Sequence, residues 1–149
     1  MLSLRSSRLS LFETFLDICD RAAIRRKPEA PHLTVGRKGE RTAFFYLRRL
    51  GFVVVARGWR SGRAPGDLDL VAWEGDTLCI IEVKTRTTRA VATAEASVDE
   101  HKQKTLKRLA RHYLRQLQQQ DVFVRFDILS IYFEENRPAD FDFFRGAFD

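Results

Sequence analysis

Apolar residues in this chain recur with two different periods, and the switches between them mark out its elements. Leu9, Phe12, Leu16 and Cys19 fall at helical spacing, as do Ala43, Phe44, Leu47 and Leu50, and again Leu106, Leu109, Ala110, Tyr113, Leu114 and Leu117. Each set makes one apolar stripe on an otherwise polar segment, the pattern of an amphipathic helix. Among them lie short β-branched and apolar runs, Phe52 to Ala56, Leu68 to Trp73, Thr77 to Thr85 and Val122 to Phe133, whose length and composition predict strands. Gly51 supplies a helix stop after Leu50, and Glu74-Gly75-Asp76 has the residues of a hairpin loop. Ser97, three residues ahead of Glu100, reads as a capping box opening the last helix.

The order helix, strand, strand, strand, helix, strand predicts an α/β (α+β) fold with a mixed central sheet and helices against its faces. A chain of 149 residues has room for one such core. The domain is expected over residues 36–135. Residues 1–35 form a helical extension and linker, which either packs on the domain or a partner or stays disordered. Residues 136–149 read as an acidic aromatic tail, docked or loose.

Charge interrupts two of the predicted strands. Asp69 sits in the first run of the hairpin, and Glu82 and Lys84 in the second. Strand side chains alternate faces, so Glu82 and Lys84 share one face, and a hairpin can bring Asp69 across from them. Buried charges need an ion pair, a bound cation or solvent. Two facing carboxylates suit a hard, oxygen-seeking ion such as Mg2+, or Mn2+ in its place. A lysine beside that ion would hold the attacking water and steady developing phosphorane charge. The same three residues would equally make a cross-strand ion pair between Asp69 and Lys84 on an exposed face. Glu40 has two readings as well: an acid in the first turn of its helix, favoured by the dipole, or a carboxylate aimed at the acidic site.

Composition adds a partner to this picture through where the charge lies. The net charge is +6, but residues 36–64 carry eight Lys or Arg against one acid and residues 86–120 eight against three, while residues 65–84 carry five acids and one lysine. An acidic centre flanked by basic segments suits a polyanion held in place for metal-assisted chemistry. The segment Arg57 to Pro65 reads as a basic, glycine-rich loop in which Arg57, Arg60 and Arg63 meet phosphates, and Trp59 is either buried or stacked on a base. Arg86, Lys102 and Lys104 extend the basic surface, and His101 is a surface residue. Cys19 and Cys79 belong to no CxxC or Cys/His cluster, which argues against a disulfide scaffold or a zinc site. No apolar run approaches the roughly 20 residues of a membrane span, and Glu13 and Asp17 interrupt any secretory core, so a cytoplasmic protein is expected.

Six short motifs in fixed order carry a resemblance: Gly36-x-x-Gly39-Glu40, Leu50-Gly51-Phe52, Trp59-Arg60, Gly66-Asp67-Leu68-Asp69-Leu70-Val71, Glu82-Val83-Lys84-x-Arg86 and Lys102-Gln103. Over roughly Gly36 to Phe133 the chain resembles the YraN-like family, which is similar to the Holliday-junction-resolvase-like branch of the PD-(D/E)xK nuclease superfamily. The resemblance implies a restriction-endonuclease-like core and Mg2+-dependent cleavage of DNA, branched or structured DNA included. It implies that Asp69, Glu82 and the Val83 carbonyl hold the metal, that Lys84 is catalytic, that Glu40 is the helix-borne acid and that Gln103 lies beside the site. A junction-cutting enzyme would need a symmetric homodimer to cut two strands. A non-cleaving nucleic-acid-binding module on the same fold is the alternative. Asp67 stands where the family usually has Glu, Gly58 where Asn is usual, and Met1 to Val35 lies outside the match.

Overall fold

The helix that opens the fold, α1 (Pro31–Arg49), begins on a proline, whose fixed φ and missing amide suit a first helical turn. It ends in a glycine-terminated cap: Gly51 has φ +94°, its amide bonds the Arg48 carbonyl at 3.1 Å, and the Phe52 amide reaches back to the Leu47 carbonyl at 3.0 Å. The computed structural model describes residues 31–87, 98–119 and 121–149, with side chains from 35 onward. Residues 34–149 make up one compact unit. The amphipathic helix expected around Leu9 to Cys19 and the Ser97 cap fall outside the described residues.

After α1 come β1 (Val53–Trp59), β2 (Leu68–Glu74), β3 (Thr77–Arg86), α2 (Glu100–Gln116), β4 (Val124–Tyr132) and β5 (Asp140–Phe148). The five strands form one sheet in sequence order, with β3 and β4 parallel and every other pair antiparallel. A parallel pair needs a long crossover, which the β3–α2–β4 segment supplies. The fold is α+β, a mixed sheet flanked by helices, as the hydrophobic pattern predicts. The β2–β3 hairpin turns on Gly75 and Asp76, with φ +59° at Gly75, the first central position, as in a type II′ turn.

Alternation along β3 divides the core in two. Leu78 and Ile80 join Leu106, Leu109 and Tyr113 of α2 on one face. Cys79 and Ile81 join Ala43 and Leu47 of α1 on the other. Glu82 and Lys84 share the parity of Leu78 and Ile80, which puts them on the α2 face.

Three expectations are corrected. Residues 57–59, read as loop, continue β1, so Trp59 sits half-buried, edge-on to Tyr113 with ring centroids 5.2 Å apart. The residue capping α2 is Asp99, whose side chain accepts the Lys102 amide at 2.8 Å. Residues 140–148, read as part of a tail, are a sheet strand: Phe141 stacks on Tyr46 at 4.1 Å, and Phe148 stacks on Phe126 at 5.1 Å. The aromatics of this strand serve both faces of the sheet, Phe141 and Phe143 on the α1 side and Phe144 and Phe148 on the α2 side, while Asp140 and Arg145 stay exposed. Among the described residues, no helix is long and apolar enough to cross a membrane.

Candidate metal and phosphate site

Pairing between β2 and β3 stops at Leu70 and Ile81, and beyond that point the strands part. Asp69 fills the fork: its Oδ2 accepts the Val83 amide proton at 2.8 Å, a side chain standing where a ladder bond would be. In a strand, the amide and carbonyl of one residue open on the same edge, so the Val83 carbonyl also faces the fork. β3 still pairs with β4 on its other edge through Arg86 and Tyr132, which keeps the open edge rigid.

Glu82, next to the fork, is only 4% exposed. Lys84 donates to its Oε1 at 2.9 Å, and the Lys102 ammonium from the first turns of α2 lies 3.0 Å from its Oε2. The second contact is an ion pair by distance but lacks the direction of a hydrogen bond, leaving Oε2 a buried acceptor without one. The alternative pairing of Asp69 with Lys84 on an exposed face is not what forms. Lys84 turns to the acid on its own strand, and that acid is buried.

Electrostatics follow from this crowding. Burial, then the charge of Glu82, pushes the Asp69 carboxyl up to about 7 against the Val83 hydrogen bond and the Lys102 charge, with Glu40 adding to the rise. For Lys102, burial alone would lower the pKa, but the Glu82 carboxylate outweighs it and the group is raised. Glu40 is raised by burial first, opposed by Arg57 and Arg37 and reinforced by Asp67 and Glu82. Since α1 starts at Pro31, Glu40 stands mid-helix, and the first-turn dipole reading does not apply.

What brings Glu40 here is Gly39. A Cβ at that position would run into Thr85 Oγ1, so the missing side chain lets α1 lie directly on β3 beside the site. Gln103, expected beside the acids, gives its side-chain amide to the Val98 carbonyl at 3.0 Å. Lys102, expected among the phosphate contacts, is committed to Glu82 instead. Sequence reasoning missed that pairing because it joins residues 20 positions apart on different elements. The signal was present only as a lysine in the first turn of a helix that follows the strand.

Of the other basic residues, Arg57 is exposed and lies over the Phe44 ring at 5.1 Å, and Arg60 pairs with Asp67 at 3.3 Å on the surface. Arg63 is exposed. Lys104 is exposed 3.9 Å from Glu100, and Arg86 is half-buried at the end of β3. No group of three or more acidic, His or Cys side chains with metal-binding geometry occurs among the described residues. Asp69, Glu82 and the Val83 carbonyl nevertheless form an all-oxygen set of two carboxylates and one carbonyl. Such hard oxygen donors suit Mg2+ or Mn2+, which bind through one or two carboxylates and keep several waters, with Oε2 already facing a cation in Lys102 at 3.0 Å.

Comparison with known sequences finds relatives that align over most of the chain. It is 49% identical over 117 residues to a UPF0102 protein of Koribacter versatilis (strain Ellin345), covering 78% of this chain and 81% of the relative. It is 40% identical over 129 residues to a UPF0102 protein of Solibacter usitatus (strain Ellin6076), covering 87% and 93%. A UPF0102 protein of Bacteroides thetaiotaomicron matches at 40% over 119 residues, covering 80% and 95%. The sequence model of that family matches residues 39–131, the span from Gly39 through the fork to β4. The chain therefore belongs to the uncharacterised protein family UPF0102.

Proposed function

We propose that the protein is a metal-dependent nuclease that hydrolyses phosphodiester bonds of DNA, structured or branched DNA included. The observation that carries this reading is the fork: Asp69 in place of a ladder bond, with buried Glu82 held between Lys84 and Lys102. Burying this much charge costs stability that well-packed apolar residues would not, and a carboxyl raised by burial and a neighbouring like charge, as at Asp69, supports a site reading.

Asp69, Glu82 and the Val83 carbonyl would hold Mg2+ or Mn2+, which when bound supplies Lewis-acid neutralisation of phosphate charge and a more acidic water. This chain's own residues do the rest. Lys84 holds the water for in-line attack and steadies charge on the phosphoryl oxygens. Glu40, a carboxyl raised by burial and by the charges of Asp67 and Glu82, would take the water's proton. The new P–O bond forms from that water, the opposite ester bond breaks, and the departing oxygen is protonated from solvent. Lys102 keeps Glu82 in place, and Arg57, Arg63, Arg86 and Lys104 hold the backbone without reading bases.

The test is incubation with linear, supercoiled and four-way-junction DNA, with and without Mg2+ or Mn2+, beside Lys84→Ala. Metal-dependent cleavage lost in the variant, with DNA binding retained, is the expected result. Equal cleavage by both proteins removes Lys84 from the chemistry.

A second reading has an observation of its own. Lys84 and Lys102 both engage Glu82, so that acid is compensated without a cation. This suits a non-cleaving nucleic-acid-binding module on the same fold. Calorimetric titration separates the two: a Mn2+ site that disappears in Asp69→Asn belongs to the nuclease.

A further inference from the structure

We propose that the cavity between the β1–β2 loop and the last turns of α2 binds one nucleotide of a nucleic-acid strand, with its phosphate between Arg63 and Arg115 and its base against Trp59. The inference rests on the nucleic-acid reading above and adds to it a second contact away from the fork. The cavity has a volume of about 600 Å3 and is lined by Trp59, Ser61, Gly62, Arg63, His112, Arg115 and Gln116. That volume is in the range of small-molecule sites.

The lining is cationic and aromatic and contains no carboxylate. Among the described residues, neither the Arg63 nor the Arg115 guanidinium pairs with an acid, unlike Arg60 on the same loop, which is held by Asp67. Two such guanidinium groups at one cavity suit a phosphate. The wall between them is built. Ser61 Oγ lies 2.9 Å from His112 Nδ1 and accepts the Arg63 amide proton at 3.2 Å, so one hydroxyl ties the loop to α2 and sets the start of the Arg63 side chain. With the hydroxyl donating to Nδ1, the ring carries its proton on Nε2 and offers a further donor. No lining carboxylate orients the imidazole, so this pair is scaffold and not a nucleophile with its base.

Trp59 supplies the stacking surface. Its ring is braced edge-on against Tyr113, which fixes its plane before any ligand arrives. Lys102 at the fork and His112 at the cavity are on one helix, separated along its axis by about 15 Å at 1.5 Å per residue. At about 3.4 Å or more per nucleotide, a hexanucleotide covers that distance and is long enough to report on the cavity.

The experiment uses the full chain in chelator, so that binding is read without cleavage. A fluorescein-labelled hexathymidylate is titrated by anisotropy, an abasic hexamer and inorganic phosphate are the comparison probes, and a Trp73→Phe background leaves Trp59 as the fluorescent reporter. Saturable binding with Trp59 quenching is expected from hexathymidylate, and binding without quenching from the abasic hexamer. Arg63→Ala/Arg115→Ala should weaken binding about tenfold or more and reduce the slope of log K against log salt by about 0.7 for the phosphate lost. Both arginines are exposed, so the fold should survive, as unchanged melting will report. Unchanged affinity and slope in the double variant, or equal quenching by the abasic strand, overturns the subsite. If either occurs while DNA is still cut in a Lys84-dependent way, the subsite fails and the nuclease reading stands.

Discussion

Asp69 accepts the backbone proton of Val83 across a gap in the sheet at 2.8 Å, so one carboxylate both completes the ladder and enters the candidate metal site. Asp69→Ala would leave the Val83 amide unsatisfied at a part-buried position, a cost of about 1–3 kcal/mol. Asp69→Asn keeps an acceptor there and should recover most of that loss while removing metal binding. Thermal melts read the first effect and calorimetric Mn2+ titration the second. Equal melting of the two variants means that the hydrogen bond contributes nothing.

The same residue sets a pH dependence. Its carboxyl rises from 3.8 to about 7 on folding, so the folded state favours the protonated form. The associated stability is fully present below about pH 4 and is lost as pH climbs through about 7. In chelator, the wild type should lose stability relative to Asp69→Asn between pH 4 and pH 7 on this count. Because a ligating carboxylate must be deprotonated, Mn2+ should restore stability more at pH 8 than at pH 6. A constant difference between the two proteins across that range removes Asp69 as the cause.

Lys84 and Lys102 share one buried acid, and losing either leaves Glu82 with half its compensation. Both lysines reach partial solvent, so each alanine variant should cost less than the about 3–5 kcal/mol of a fully buried broken pair. The double variant should cost more than the sum of the singles, and adding Glu82→Gln should recover part of the loss. Denaturant midpoints across the full cycle test this, and strict additivity separates the two contacts.

Gly39 sets two effects of opposite sign against each other. Helix propensity favours Gly39→Ala by about 1 kcal/mol, whereas the new Cβ would strike Thr85 Oγ1. Overpacking costs about 1–3 kcal/mol, so destabilisation should win. Thr85→Ala, which removes that oxygen, should let Gly39→Ala recover. Without such recovery, α1 is not held against β3 by this contact.

A separate cluster in the first half of β4 is structural. Asp127, 1% exposed, receives Arg125 at 2.7 and 2.9 Å and the Gly146 amide at 2.8 Å, at the place where the β4–β5 register shifts. Arg125 also bonds Glu74 at 2.7 Å. Arg125→Ala should cost about 3–5 kcal/mol by stranding a buried carboxylate, with DNA binding per folded molecule unchanged. A shift in midpoint below about 1 kcal/mol would mean that water reaches Asp127.

The hairpin was legible in the sequence because its two runs are adjacent and a short Gly-Asp turn sets their register, so Glu82 and Lys84 had to share a face and Asp69 had to lie near them. The two main helices were legible because their apolar stripes are long. β5 was not, since its aromatics divide between the two faces, Phe141 and Phe143 on one and Phe144 and Phe148 on the other, so no period-2 stripe shows and its acids mimic a solvated tail. Asp127 was likewise missed, because a single acid in an apolar run has no visible reason until the bulge at Gly146 frees an amide for it.

By itself the sequence determined which residues can carry charge into the sheet, since local periodicity and turn chemistry act over a few residues. Only the tertiary structure decided that β2 leaves β3 at Leu70, that Lys102 returns from α2 to Glu82, and that Gly39 lets α1 bring Glu40 alongside. Those contacts join distant segments, and their geometry is set by how two helices pack on opposite faces of one sheet, which no local pattern encodes.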